Sequence, residues 1–222
     1  MVIRHFNLSD IYNILQIKTT HNPRRVSNNY HSNLKMIEFI NFCKEVSPLD
    51  NHCVIDLSSI VKLKTVKKND FLLNVNSHST ELFFIKKGIV KFCFNGDGKE
   101  FIMRFFDENI LFADIESYST KKHSKYEIVA IENTEYYSLP FFEFEQLCLK
   151  HHSLETFFRK FMTIANLNMM ERVSEILEED AKKRYVNFTS KNSQLLPRIS
   201  LGDLASYLGI TQVSLSRIRA NK

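Results

Sequence analysis

A chain of 222 residues, 44% apolar and 25% charged, has room for two ordinary globular domains. No apolar run approaches the roughly 20 residues of a membrane-spanning helix, and the polar, acid-containing N-terminus MVIRHFNLSDIYNILQ is a poor secretion signal, so a cytoplasmic protein without membrane contact is expected. The net charge of +5 is uneven: residues 182–222 hold eight Lys and Arg against one acid, Asp203, which suits a protein that sets one end on a polyanion.

Residues 1–35 are polar and weakly patterned, with a short helix expected from a Ser9 cap in SDIYNILQ. They are either a genuine N-terminal extension or the lead-in to a start at Met36, after which MIEFINFCKEV takes helical spacing. Residues 60–139 then hold short segments rich in Val, Ile, Phe and Tyr: IVKLKTV, FLLNV, ELFFIKKGIVKFCF, EFIMRFF, YEIVAI and EYYSL. Turn signals at Asn69-Asp70 and Asn95-Gly96-Asp97-Gly98 separate them, predicting an antiparallel sandwich or barrel with KFCFNGDGKEFIMRF as its clearest hairpin. Between Pro140 and Pro197 there is neither Gly nor Pro, and a breaker-free stretch of that length predicts helices. Within it, Leu154, Phe157, Phe161 and Ile164 form one apolar stripe, and Phe158, Met162, Ala165 and Met169 a second beside it. Two stripes predict a helix buried on two sides, one against its own domain and one against a second copy. Leu154, Phe157, Phe158, Phe161, Ile164 and Ala165 are the expected dimer contacts; burial within a single domain is the alternative.

The ending SLGDLASYLGITQVSLSRIRANK reads as a helix-turn-helix position by position. Ser200 and Asp203 resemble a capping box, Leu204 and Leu208 face inward, and Ala205 is small where the second helix crosses. Gly209 sits in the turn, Ile210 fills it, Thr211 caps the second helix, and Leu215 and Ile218 anchor it. Gln212, Val213, Ser216 and Arg217 are left facing outward, with Ser214 at the flank. An arginine fork suits guanine O6 and N7, and Gln212 suits adenine. Ser200, Thr211, Arg219 and Lys222 suit phosphates, which position a protein without reading sequence.

This order of strand-rich domain, long helix and C-terminal helix-turn-helix resembles the Crp/Fnr superfamily of bacterial transcription regulators. FLLNVNSHSTELFFIKKGIVKFCF is similar to that family's cyclic-nucleotide-binding-type β-roll, and YLGITQVSLSRIR to its recognition motif. The resemblance implies an α+β chain with an effector domain at 36–152, a dimerisation helix at 153–170 and a DNA-binding domain at 171–222. It implies a homodimer on double-stranded DNA, RNA polymerase as a partner, and an unidentified small effector. Two departures stand out. Val213 replaces the family's frequent Glu, removing an acceptor for cytosine N4, and the chain stops at Lys222, where the family has a β wing.

In cyclic-AMP-binding members the pocket carries Gly-Glu and, further along, Arg followed by Ser or Thr. Here Ala113-Asp114 stands for the first pair and Ser124-Lys125 for the second. Lysine can neutralise a phosphate but lacks the bidentate fork, so control by cyclic AMP is not expected. No cofactor, metal or catalytic constellation is expected either. The four cysteines are dispersed, His78 is a lone loop histidine, and His151-His152 is adjacent rather than spaced by four. An enzyme of the cupin type would need clustered histidines, and residues 60–139 hold only His78 and His123. The other reading is a cyclic-nucleotide sensor module whose C-terminal helices are mainly structural.

Overall fold

The computed structural model describes residues 36–220; the Ser9-capped helix and Lys222 lie outside them. Two antiparallel four-stranded sheets form the centre. The first runs β1 (Lys62–Val66), β8 (Thr134–Pro140), β3 (Glu81–Lys87), β6 (Leu111–Phe112), and the second β2 (Phe71–Leu73), β7 (Glu127–Ala130), β4 (Val90–Gly96), β5 (Lys99–Phe106). In the β4–β5 hairpin Gly96 pairs with Lys99, and Asp97 and Gly98 take φ of 50° and 74°, the two left-handed residues of a tight hairpin turn.

Helices cover both outer faces. On the first sheet lie α1 (Ile37–Val46), α2 (Asn51–Ile60), α4 (Phe141–Lys150) and the start of α5 (His152–Glu178). The apolar run in β3 serves two cores at once. Leu82 and Phe84 join Phe39 and Phe157 under the helices, while Phe83 and Ile85 meet Phe112 and Ile128 between the sheets. A strand buried on both faces needs continuous rather than alternating hydrophobicity. On the second sheet, Ile89, Cys93, Ile102 and Phe105 pack against the C-terminal helices α6 (Ala181–Lys191), α7 (Leu201–Leu208) and α8 (Gln212–Ala220). The short helix α3 (Ile115–Thr120) and strand β6 lie where no element was expected.

The long helix departs from its expected form. It continues past residue 170 to Glu178, and Leu154, Phe157, Phe161 and Ile164 are buried in its own chain's helical core. Phe158 is half-buried, its ring centroid 5.2 Å from that of Phe144 and 5.9 Å from that of Phe141. These side chains are already spent inside the protomer and do not offer a dimer face; of the six residues expected there, Ala165 is exposed. The uncovered apolar surface lies further along, at Met169, Met170, Val173, Ile176 and Leu177, the last 78% exposed. No described helix is long and apolar enough to cross a membrane.

Candidate nucleic-acid interface

The last two helices are built by caps and one glycine. Ser200 accepts the Asp203 N–H at 3.0 Å and donates its hydroxyl proton to Asp203 Oδ2 at 2.6 Å, opening α7. That proton is therefore not available to a phosphate, and Ser200 acts here as a cap. α7 ends at Gly209, φ +67°, where a residue with a Cβ would cost about 1 kcal/mol or more. Thr211 then accepts the Ser214 N–H at 3.1 Å, and its hydroxyl shares a 3.0 Å bond with that of Ser214. Leu204, Ala205, Leu208 and Leu215 are buried, with Ile210 and Ile218 packed at their edge.

Gln212, Val213, Ser216, Arg217 and Arg219 consequently stand exposed on α8, and Ser214 is half-buried beside its cap. Gly202 was not singled out in the sequence, yet a Cβ there would come within 2.7 Å of the Gln212 amide nitrogen. A glycine inside a short helix was the available signal.

The helix pair is fastened to the rest of the chain by charge. Lys91 on β4 reaches Glu100 at 2.8 Å and Asp203 on α7 at 2.9 Å. Burial opposes its charge, but these two carboxylates outweigh it and hold its pKa above the ordinary lysine value. Arg198, just before α7, grips Glu108 in a fork at 2.8 and 2.9 Å and also pairs with Glu132. Its hydrogen bonds pull the Glu108 pKa down to about 2, against the desolvation that would raise it. Arg184 donates to the Leu208 carbonyl at 3.0 and 3.1 Å, and the Arg172 guanidinium lies 3.8 Å from the Tyr207 ring centre while bonding that residue's carbonyl. Lys191 pairs with Glu171 at 2.7 Å. Arg184, Lys191 and Arg198 thus spend their charge internally, and the basic end is less available to a polyanion than composition implies.

The residues expected to form an effector pocket lie at a small cleft of about 200 Å³ beside α3. Asp114 is buried at its base, with Oδ1 accepting the Ser117 N–H at 3.1 Å and Oδ2 accepting the Ser124 hydroxyl at 2.6 Å. Asp114 and Ser124 therefore bind each other. Lys125 lines the cleft but is 61% exposed, and its amine is paired with Glu116. Ala113 packs on the helical core and does not line the cleft. At the rim the His78 and His123 rings face each other at 4.2 Å between centroids, so His78 is not solitary.

Residues 63–151 match the cyclic nucleotide-binding domain family. No curated protein matches the chain in sequence. Among solved structures, a transcriptional regulator assigned to the crp/fnr family from Eubacterium rectale is 18% identical over 77% of this chain and 82% of that one, with a TM-score of 0.62. FixK2 from Bradyrhizobium japonicum is 17% identical over 73% and 84%, with a TM-score of 0.61. The c-di-GMP-responsive global regulator CLP from Xanthomonas campestris is 13% identical over 78% and 91%, with a TM-score of 0.60. At these identities the likeness is one of fold.

Proposed function

From a chain whose residues 63–151 belong to the cyclic nucleotide-binding domain family, and which has the fold of the Crp/Fnr-type regulators, we propose a cytoplasmic, sequence-specific transcription regulator that binds a two-fold DNA operator as a homodimer. The observation that carries this reading is α8. It is capped, anchored through Leu215, and exposes Gln212, Val213, Ser216 and Arg217 together on its free face. A helix so presented fits the major groove, with Arg217 donating to guanine and the Val213 methyls meeting a thymine methyl.

The homodimer rests on the second half of α5. Met162, Asn166, Met169, Val173 and Ile176 follow alternating steps of four and three, the seam of a parallel coiled coil. Asn166 takes the kind of seam position at which a buried amide sets register and favours two strands.

Arg217→Ala is expected to weaken a selected operator by ~1–3 kcal/mol, roughly 5- to 150-fold, and to relax one base position. Arg219→Ala should weaken all sequences alike. Fluorescence anisotropy at fixed salt separates the two, and unchanged operator affinity in Arg217→Ala removes that residue from base readout.

Control by cyclic AMP or cyclic GMP is not part of this function. A cleft of about 200 Å³ is smaller than ordinary ligand pockets of roughly 300–1,000 Å³. Asp114 at its base is taken up by the Ser124 hydroxyl at 2.6 Å, and Ser124 stands where cyclic-AMP-binding members offer an arginine to the phosphate, so no bidentate cation faces the cleft. Calorimetry should find no binding of either nucleotide at micromolar concentrations. A low-micromolar constant coupled to tighter operator binding would falsify this assignment.

A further inference from the structure

Two residue pairs of metal-ligand type share one spacing in the sequence, Asp50-x-x-Cys53 and Cys148-x-x-His151. The fold brings three of these four residues to one place. Asp50 is the N-cap of α2 and Cys53 lies in its first turn; Cys148 is in the last turn of α4, and His151 joins α4 to α5. One donor atom from each of Asp50, Cys53 and His151 lies within 4.8 Å of the others. Cys53 and His151 are buried, while Asp50 opens to solvent and supplies an entry side.

We propose that Asp50, Cys53 and His151 bind a zinc-class divalent cation, the solvent side at Asp50 leaving the fourth position to water. A sulfur, an imidazole and a carboxylate together suit a borderline-soft ion rather than magnesium or calcium, which prefer oxygen alone. Metal–ligand bonds of about 2.0–2.3 Å set tetrahedral donors roughly 3.3–3.8 Å apart, so the observed group must contract by about 1 Å, within side-chain rotation. The surroundings are already arranged. Asp56 Oδ2 lies 2.7 Å from His151 Nε2, leaving the other ring nitrogen for a ligand, as carboxylates do behind metal-bound histidines. The Cys53 N–H holds Asp50 Oδ1 at 2.8 Å, and Ser153 donates to Oδ2 at 2.6 Å. A bound ion would tie α2 to the root of α5, the helix that carries the dimer seam.

The test is an anaerobic titration of the full reduced chain with Co²⁺. Expected are a thiolate-to-cobalt absorption band saturating at one equivalent and its displacement by Zn²⁺. The band should vanish in Cys53→Ser and His151→Ala and persist in Cys93→Ser, whose thiol lies in the other core. Should Cys53→Ser fail to fold, Asp50→Asn decides, because asparagine caps a helix as well as aspartate does and Asp50 is exposed. Its Zn²⁺ affinity should fall about tenfold or more. No band at one equivalent, a band that survives in folded Cys53→Ser, or unchanged affinity in Asp50→Asn overturns the site.

Discussion

The double variant Val173→Lys/Ile176→Lys is expected to be a folded monomer whose operator affinity is lower by about 10²–10⁴-fold. Both side chains are roughly half exposed in the protomer, at 47% and 48%, so charging them costs the protomer little. In the dimer each would be a lysine facing its symmetry mate across the seam, where burying a Val or Ile contributes ~1.5–3 kcal/mol per side chain. Losing the dimer unlinks the two half-sites, and the second contact is no longer intramolecular. Light scattering and anisotropy read the two effects separately. A wild-type chain that is monomeric at micromolar concentration, or a variant that stays dimeric, defeats the assignment of the seam. Phe157→Lys should behave differently. Its side chain is fully buried in the protomer, so the chain should unfold rather than dissociate, at a cost of at least the ~3–5 kcal/mol of Phe→Ala.

Arg198→Ala is expected to loosen the C-terminal helices α7 and α8 from the β-roll by ~1–3 kcal/mol. That range lies below the figure for a fully buried pair because Arg198, Glu108 and Glu132 are each about a third exposed. The variant leaves two carboxylates facing each other, while Glu108 keeps its bond from the Gly88 N–H at 2.8 Å. Faster hydrogen exchange in α7 and proteolysis around residues 192–199, with the β-roll still protected, would be the signature. The pH dependence identifies the cause. Glu108 has its pKa lowered from 4.5 to about 2 in the fold, so its contribution is complete above pH 4.5 and is lost as pH falls through 2. The difference between wild type and Arg198→Ala should therefore be level near neutrality and shrink between about pH 4.5 and 2. A difference that stays constant down to pH 2 would assign it to packing instead.

Local chemistry made the helix-turn-helix legible. Caps at Ser200 and Thr211, the left-handed Gly209 and the apolar spacing of Leu204, Leu208 and Leu215 all act over a few residues. The hairpin at Asp97-Gly98 was readable for the same reason. Periodicity shows that a stripe is buried but not by what, so Leu154, Phe157, Phe161 and Ile164 were assigned to a second copy when the protomer's own helices cover them. Arg198 with Glu108, Lys91 with Asp203, and Asp50 with His151 are separated by 90 residues or more, and only the fold makes them neighbours. Asp114 had the same difficulty. As a letter it stood where a ribose-binding acid belongs, but its partner is Ser124, which fills the place of the phosphate-binding arginine.

The way Arg172 and Arg184 grasp the carbonyls of Tyr207 and Leu208 has a consequence for the operator. α7 is held by α5 through Arg172, by α6 through Arg184 and by the second sheet through Lys91, on three sides at once. With a parallel seam on the same α5, each protomer becomes a stiff lever whose tip cannot swing independently of its root. In the proposed dimer the distance between the two α8 helices is then a ruler built into the protein. Adding one base pair between half-sites would rotate one of them by about 35° around the duplex, given roughly 10–10.5 base pairs per turn, and a stiff lever can follow that only by breaking the hydrogen bonds and the ion pair that hold α7. Such a regulator would choose its promoters as much by spacing as by base sequence.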